Sequence, residues 1–362
     1  MSELKEKTNE DTTLHIDYDI IAFNASASME ERSIVVTHKT SGRKMPFKNR
    51  TEFYGRGKTI GGWLGSLNEK NEASGKTIFS KDDFEIEDVY THAEDVSHVF
   101  QSAKTKLNNL CKHLSIHNYC GVAGSGPTFR HSFEMPKEYK SERDPHKPFW
   151  LKDTKDYLIS KHNGSIAEVV EADDIIVQGQ YKGWRNYKKT GIITDIALSI
   201  DKDSLSTPGF LFNFNKDQST GKYKYPEVIV IDDGIGDLWV NEKGKSKEVK
   251  GYGSYWLAYQ LLLGDSTDTI RPYQDFGIKY GEQTFYKEAV DIKTQAELFT
   301  FVKDKYHSWF PDGVSFTSWT GKEMGISTDE WIETIFKLVY MQRVPNDPTT
   351  FAKMLQHYQS KA

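Results

Sequence analysis

The stretch EVVEADDIIVQ, residues 168–178, sets Glu171, Asp173 and Asp174 inside a run of Val, Ile and Ala that reads as a buried element. Unpaired buried carboxylates cost several kcal/mol each, so such acids must be neutralised or held at an edge. Three other places share the property: Asp17 with Asp19 in LHIDYDIIAF, Asp201 with Asp203 after GIITDIALSI, and Asp265 with Asp268 after YWLAYQLLL. Each group abuts an apolar element. The chain must therefore fold so that these ends lie at a solvent-accessible margin of its core.

Read in order, LHIDYDIIAF (14–23) is expected to be a buried strand whose Asp17 and Asp19, two apart, share one face. Residues 42–76, rich in Gly, Lys and Arg with Phe53, Tyr54 and Trp63 interspersed, read as a long mobile basic segment carrying Lys48, Arg50, Arg56 and Lys58. Helical spacing over 96–113 followed by IHNYCGVAG gives a βαβ-like rhythm. A helix over FWLKDTKDYLISKH precedes the acidic stretch, itself read as a helix start. Residues 191–209 are β-rich, 225–245 read as a hairpin, and 252–272 as a helix stopped by Gly264. From about Tyr273 the pattern is mostly helical. The expected fold class is α/β: a central, mostly parallel sheet flanked by helices, with a helical C-terminal part.

In open α/β sheets ligands bind beyond the carboxyl ends of parallel strands, which would bring Asp17 and Asp201 to a common site. On helices, Glu171 with Asp174 and Asp265 with Asp268 are three apart and face alike. Carboxylates gathered together repel unless protonated or neutralised, and hard oxygen donors suit Mg²⁺ or Mn²⁺. Any one group could be a helix cap or a solvated turn. Four of them in one chain favour metal ligation.

The segment FRHSFEMPKEYKSERDPHKP (129–148) mixes Arg130, Lys137, Lys140, Arg143 and Lys147 with Glu134, Glu138, Glu142 and Asp144. It reads either as a solvated face or, bearing Tyr139 just upstream of the acidic helix, as a holder of a nucleic-acid backbone.

FRHSFEMPKEYKSER, followed by VEADDII, SIDKD and LLLGDSTDTI, resembles the bacteriophage 5′→3′ exonucleases of the flap-endonuclease-like (PIN-like) superfamily, over roughly residues 14–290. The resemblance implies a metal-dependent 5′ nuclease that hydrolyses phosphodiester bonds in DNA, at 5′ ends, flaps or nicks, by a two-metal-ion mechanism. RNA–DNA hybrids remain open as substrates. It assigns Asp17, Glu171, Asp173 and Asp174 to one metal cluster and Asp201, Asp203, Asp265 and Asp268 to a second, with Asp19 an adjacent candidate. Lys140 and Arg143 match a basic pair that reaches the scissile phosphate, and their spacing of three suggests one helical turn. Tyr139 matches an aromatic beside them, and Arg130 a phosphate ligand. Lys147 is expected to touch the nucleic acid.

The sequence departs from the family pattern twice. Where an Asp is usual on the second strand, GVAGSGPTFR offers Ala123, Gly124 and Ser125, so either the first cluster is thinner or Asp19 substitutes. The duplex-gripping hairpin is matched only loosely by DFGIKYGEQTF, with Gly277 and Gly281 shaping the turn. The nuclease domain is placed at residues 12–272 and a helical region with a helix-turn-helix element at 273–362.

The length of 362 residues and a 37% hydrophobic content allow a sizeable core, and a net charge of −5 excludes only a uniformly basic coat. Two cysteines, Cys111 and Cys120, argue against a disulfide framework or a Cys-based metal site. The polar start MSELKEKTNED and the lack of a long apolar run lead to the expectation of a cytoplasmic protein (host cytoplasm if phage-encoded) without membrane contact; oligomeric state stays open. Two rivals remain. A haloacid-dehalogenase-like phosphatase would use DYD and GDSTD but leaves EADD unexplained. A catalytically attenuated protein that binds branched or single-stranded DNA has little use for so many acids near phosphate.

Overall fold

The computed structural model describes residues 7–56, 61–217, 219–244 and 246–361; Lys58 lies outside them. In chain order the strands are β1 (Thr8–Asp17), β2 (Glu30–His38), β3 (Lys44–Phe47), β4 (Phe84–His92), β5 (Asn118–Gly124), β6 (Gly164–Ala167), β7 (Ile193–Leu198), β8 (Gly209–Phe212), β9 (Ile229–Ile231), β10 (Asp237–Lys243), β11 (Ser246–Tyr252), β12 (Val314–Thr317) and β13 (Glu323–Ile326). Two compact units emerge: Phe23–Lys104 with Lys147–Thr154 form one, and the remainder of the chain the other.

The larger unit holds a six-stranded sheet of order β6-β5-β1-β7-β8-β9. All neighbours pair in parallel except β9, which runs antiparallel to β8. The carboxyl ends of β1, β5, β6, β7 and β8 therefore share one edge. The helix Ala172–Thr190 lies close on this sheet because two of its residues lack a side chain: a Cβ at Gly179 would stand 2.5 Å from the His15 ring, and one at Gly183 2.5 Å from the Asp195 carbonyl oxygen. Val122, Ala167, Ile176, Ala197 and Leu211 fill the space between. The expected α/β class, largely parallel with a helical C-terminal part, is the one observed.

Three local expectations are corrected. The first strand ends at Asp17, and a helix, Tyr18–Ala27, begins at once. Asp17 Oδ1 accepts the Ile20 N–H at 3.1 Å, an N-cap that turns the Ile20–Ile21 run into helix rather than strand. Asp17 and Asp19 thus share no strand face. Residues 225–245 do not pair as one hairpin either: β9 joins the main sheet, while β10 pairs with β11.

The third correction concerns residues 42–76. In the smaller unit β3, β2 and β4 form an antiparallel sheet, and the helices Arg50–Tyr54 and Trp63–Ala73 pack with it. Phe53 is fully buried among Ile34, Val36, Leu64 and Phe84, and stacks on Trp63 with centroids 5.8 Å apart. Its aromatics are core, and Arg50 is spent on a two-pronged pair with Asp88 at 2.7 and 2.8 Å. Elements this short leave no periodicity to read.

Beyond β11 the larger unit continues with the helices Ser254–Leu263, Glu282–Ala289, Gln295–Trp309, Thr328–Val339 and Phe351–Gln359 and the hairpin β12–β13. Leu261, Phe299, Val302, Trp331 and Phe336 are the centre of this core. Met135 and Tyr139 from the charged segment are part of it. Among the described residues no helix is long and apolar enough to cross a membrane.

Candidate active site

The acids converge at the carboxyl edge of the sheet. Asp17 ends β1; Asp201 follows β7 and precedes the 3₁₀ turn that Asp203 opens; β6 leads to Glu171, the N-cap of the helix Ala172–Thr190; Asp265 and Asp268 follow the helix Ser254–Leu263. Three acids at one helix start also suit the positive end of its dipole.

Their partners divide them into two sets. Glu171 is ion-paired with Lys140, Asp268 with Arg143 and, at 3.8 Å, with Lys140; Asp265 meets Lys202 at 3.0 Å. Asp19 pairs with Lys155 at 2.6 Å and accepts the Gly124 N–H at 3.0 Å. Among the described residues Asp17, Asp173, Asp201 and Asp203 make no ion pair; Asp203 Oδ1 accepts from Gln260 at 2.6 Å, and one Asp173 oxygen is buried with no hydrogen-bond partner. Burial first, and then repulsion by neighbouring acids (Asp19 for Asp17, Asp268 and Asp265 for Asp201), pushes Asp17 up to about 7 and raises Asp173, Asp201 and Asp203. Asp268 shows the opposite: burial opposes its charge, but Lys140, Arg143 and the Tyr139 hydroxyl outweigh it and hold its carboxyl below the usual range.

Asp174 stands apart. Both of its oxygens take Arg130, at 2.6 and 2.9 Å, and they also accept the backbone N–H groups of Glu171 at 3.1 Å and Gln342 at 2.9 Å. The pair is fully buried. Arg130 donates further to the carbonyls of Leu338 and Tyr340 at 3.0 Å each. The expectation of Arg130 as a phosphate ligand is corrected: its guanidinium is enclosed and satisfied. Asp174 closes the helix start and anchors Arg130, with no free oxygen facing the other acids.

Tyr139 is likewise enclosed. It is 4% exposed, and its hydroxyl bonds Asp268 at 2.8 Å and Glu171 at 3.2 Å. Lys140 and Arg143 do converge on one place, but through a turn rather than a helix: Lys140 has φ 63°, its N–H donates to the Asp268 carbonyl at 2.9 Å, and Arg143 N–H donates to the Lys140 carbonyl at 3.2 Å. Lys147 is exposed and belongs to the smaller unit. Gly277 ends a short 3₁₀ turn with φ 71°, and Gly281 is the extended N-cap of the helix Glu282–Ala289. Sequence reasoning missed Lys202, Lys155 and Gln260; only Lys202, between two singled-out aspartates, carried a signal.

No protein-family model matches the sequence, and no curated protein matches it. Among solved structures, the chain is similar to a single-residue variant of the T5 5′-exonuclease, at 14% identity and a TM-score of 0.36 over 72% of this chain and 91% of that one. It is also similar to a bacteriophage T5 flap endonuclease variant described as a pseudo-enzyme–product complex with DNA and metal ions, at 14% identity and a TM-score of 0.30 over 66% and 90%. A T5 5′-exonuclease with divalent zinc ions bound gives 13% identity and a TM-score of 0.30 over 66% and 91%.

Among the described residues no three acid, His or Cys side chains are gathered closely enough to grip a metal ion as they stand. The donor set nevertheless fits a hard divalent cation in kind and charge. Its donors are carboxylates, four of them form no ion pair among the described residues, and a buried Asp173 oxygen is unsatisfied.

Proposed function

We propose that this protein is a divalent-metal-dependent 5′ nuclease that hydrolyses phosphodiester bonds in DNA at 5′ ends, flaps or nicks. The observation that carries the reading is the juxtaposition of uncompensated acids (Asp17, Asp173, Asp201, Asp203) with acids that hold two cations, Lys140 and Arg143. Carboxylates alone repel phosphate; with divalent cations between them and the backbone they attract it. Two Mg²⁺ or Mn²⁺ ions would supply activated water and charge stabilisation of the phosphoryl oxygens.

Asp17, Asp173, Asp201 and Asp203 would hold the ions, with Glu171, Asp265 and Asp268 bordering them. Asp174 would act through position, fixing the start of the acidic helix. Asp19, hydrogen-bonded to the Gly124 amide at the end of β5, stands where positions 123–125 offer no acid, and serves as the replacement. Lys140 and Arg143 would turn from Glu171 and Asp268 to the scissile phosphate, where charge-assisted bonds strengthen as negative charge develops. The 277–281 turn is the proposed duplex contact: nothing stands within 4 Å of where a side chain would be at either glycine, which leaves room for a phosphate to approach the backbone.

The test is a panel of end-labelled 5′-flap, blunt, nicked and hybrid substrates in Mg²⁺. Product lengths measured from the labelled 5′ end are expected to be short and to depend on duplex structure. Binding without any product would leave the DNA-binding alternative in its place.

A further inference from the structure

The helix that begins at Glu171 runs on to a second feature. Trp184 lies thirteen residues beyond the N-cap, roughly 20 Å along the axis at about 1.5 Å per residue. There a cavity of about 720 Å³ opens between the C-terminal half of this helix and the C-terminal helical region, lined among others by Tyr181, Trp184, Arg185, Tyr340, Arg343 and Tyr358. That volume is in the range of small-ligand sites.

We propose that this cavity binds a nucleotide, with the base against its aromatic walls and the phosphate on its cations. Six cations line it (Arg185, Lys188, Lys189, Arg343, Lys353, Lys361) against three carboxylates, Asp232, Asp233 and Asp347. Asp233 is paired with Lys188 at 3.2 Å, and Asp347 is spent on the backbone N–H groups of Arg343 and Thr349 at 2.9 and 3.0 Å. Arg185 and Lys189, both exposed, form no ion pair among the described residues. The surplus is positive.

Two lining donors point to a missing acceptor. Trp184 is only 7% exposed, and its indole N–H is buried with no hydrogen-bond partner; Arg343 Nε is in the same condition. Such donors are costly unless something accepts from them. The Arg343 guanidinium is held over the rings of Tyr181 and Tyr340, at 5.7 and 5.3 Å, with one Nη bound to the Ser206 carbonyl at 3.1 Å. A preorganised cation beside aromatic faces suits phosphate and base together better than a bare anion. A free nucleotide and a nucleotide within a single strand share this chemistry. The site stands whether or not the acid cluster cuts DNA.

The experiment is equilibrium dialysis of the full chain in EDTA, which prevents cleavage, with dAMP, a short 5′-phosphorylated oligothymidylate and inorganic phosphate as separate probes. One equivalent of dAMP, of the oligonucleotide or of both is expected to bind more tightly than phosphate. Arg185→Glu combined with Lys189→Glu, at exposed positions, should weaken that binding by ~10-fold or more, equivalent to about 1.4 kcal/mol. Trp184→Phe, which keeps a ring and removes the N–H, should weaken it by a smaller factor, and circular dichroism checks that both variants are folded. Binding of dAMP alone assigns a free nucleotide; binding of the oligonucleotide alone assigns a strand. No binding of either at millimolar concentration, binding no tighter than that of phosphate, or binding unchanged in folded variants overturns the proposal.

Discussion

Arg130 and Asp174 face each other with two hydrogen bonds, Nη1 to Oδ2 at 2.6 Å and Nη2 to Oδ1 at 2.9 Å, and neither side chain reaches solvent. Through the Leu338 and Tyr340 carbonyls the same arginine ties the acidic helix to the end of the helix Thr328–Val339. Removing one partner strands the other as a buried charge, at a cost of about 3–5 kcal/mol. Asp174→Ala and Arg130→Ala should each lower the unfolding free energy in urea by that amount. Parental stability with lost metal affinity in Asp174→Ala would make Asp174 a ligand instead.

The uncompensated acids make an opposite prediction. Asp203 is destabilising when charged without a cation, since burial first and its acidic neighbours next raise its pKa. Asp203→Asn should therefore raise thermal stability in EDTA at neutral pH. Divalent metal should stabilise the parental protein, by about 2.7 kcal/mol at a hundred times Kd, and the variant less. Thermal melts with and without Mn²⁺ check both; equal metal shifts in the two proteins would remove Asp203 from the ligand set.

Lys140 and Arg143 are ion-paired with Glu171 and Asp268, and the proposed role has both turn to the scissile phosphate. Replacing either by Ala should reduce single-turnover cleavage by ~10²-fold, as for loss of one electrostatic donor to the transition state. Metal affinity should change little. Parental cleavage rates would return this segment to a solvated face, and a fall in DNA affinity alone would make the pair a backbone clamp.

What was legible in the sequence was what periodicity and end position carry. The helix starting at Ala172, the strand after Asn118 and the stop at Gly264 follow from pattern and capping, and the acids at strand ends follow from the parallel sheet. What a side chain spends itself on was not legible. Arg130 and Lys140 look alike on paper, yet one is sealed against Asp174 by contacts more than 200 residues away in sequence at Leu338 and Tyr340, while the other remains partly exposed. Tyr139, read only as an aromatic beside the basic pair, is core, with its hydroxyl on Asp268 and Glu171. Phe53 and Trp63 were obscured by short elements in a Gly- and Lys-rich segment.

A pH dependence of stability follows from His15 and Asp195, joined across β1 and β7 at 2.8 Å. Burial opposes the charge on His15, but its hydrogen bonds to Asp195 and Cys120 prevail and raise it from 6.5 to about 9. That stabilisation is complete below about 6.5 and is lost as pH rises through about 9. Burial also opposes the charge on Asp195, but bonds from His15, Lys182 and Thr194 lower it from 3.8 to about 2, so its share is lost only as pH falls through that value. Urea unfolding of the parental protein should show declining stability on the alkaline side, and His15→Gln should flatten that slope. An unchanged slope would place its origin elsewhere.

The acid cluster at the sheet edge is proposed to cut DNA with the help of divalent metal. The most direct measurement is single-turnover cleavage of a 5′-labelled flap duplex, by the parental protein in Mg²⁺, by the same protein in excess EDTA, and by Asp201→Ala in Mg²⁺. Labelled short products are expected in the first reaction and background in the other two. Parental rates in EDTA, or undiminished cleavage by a folded Asp201→Ala protein, would contradict it.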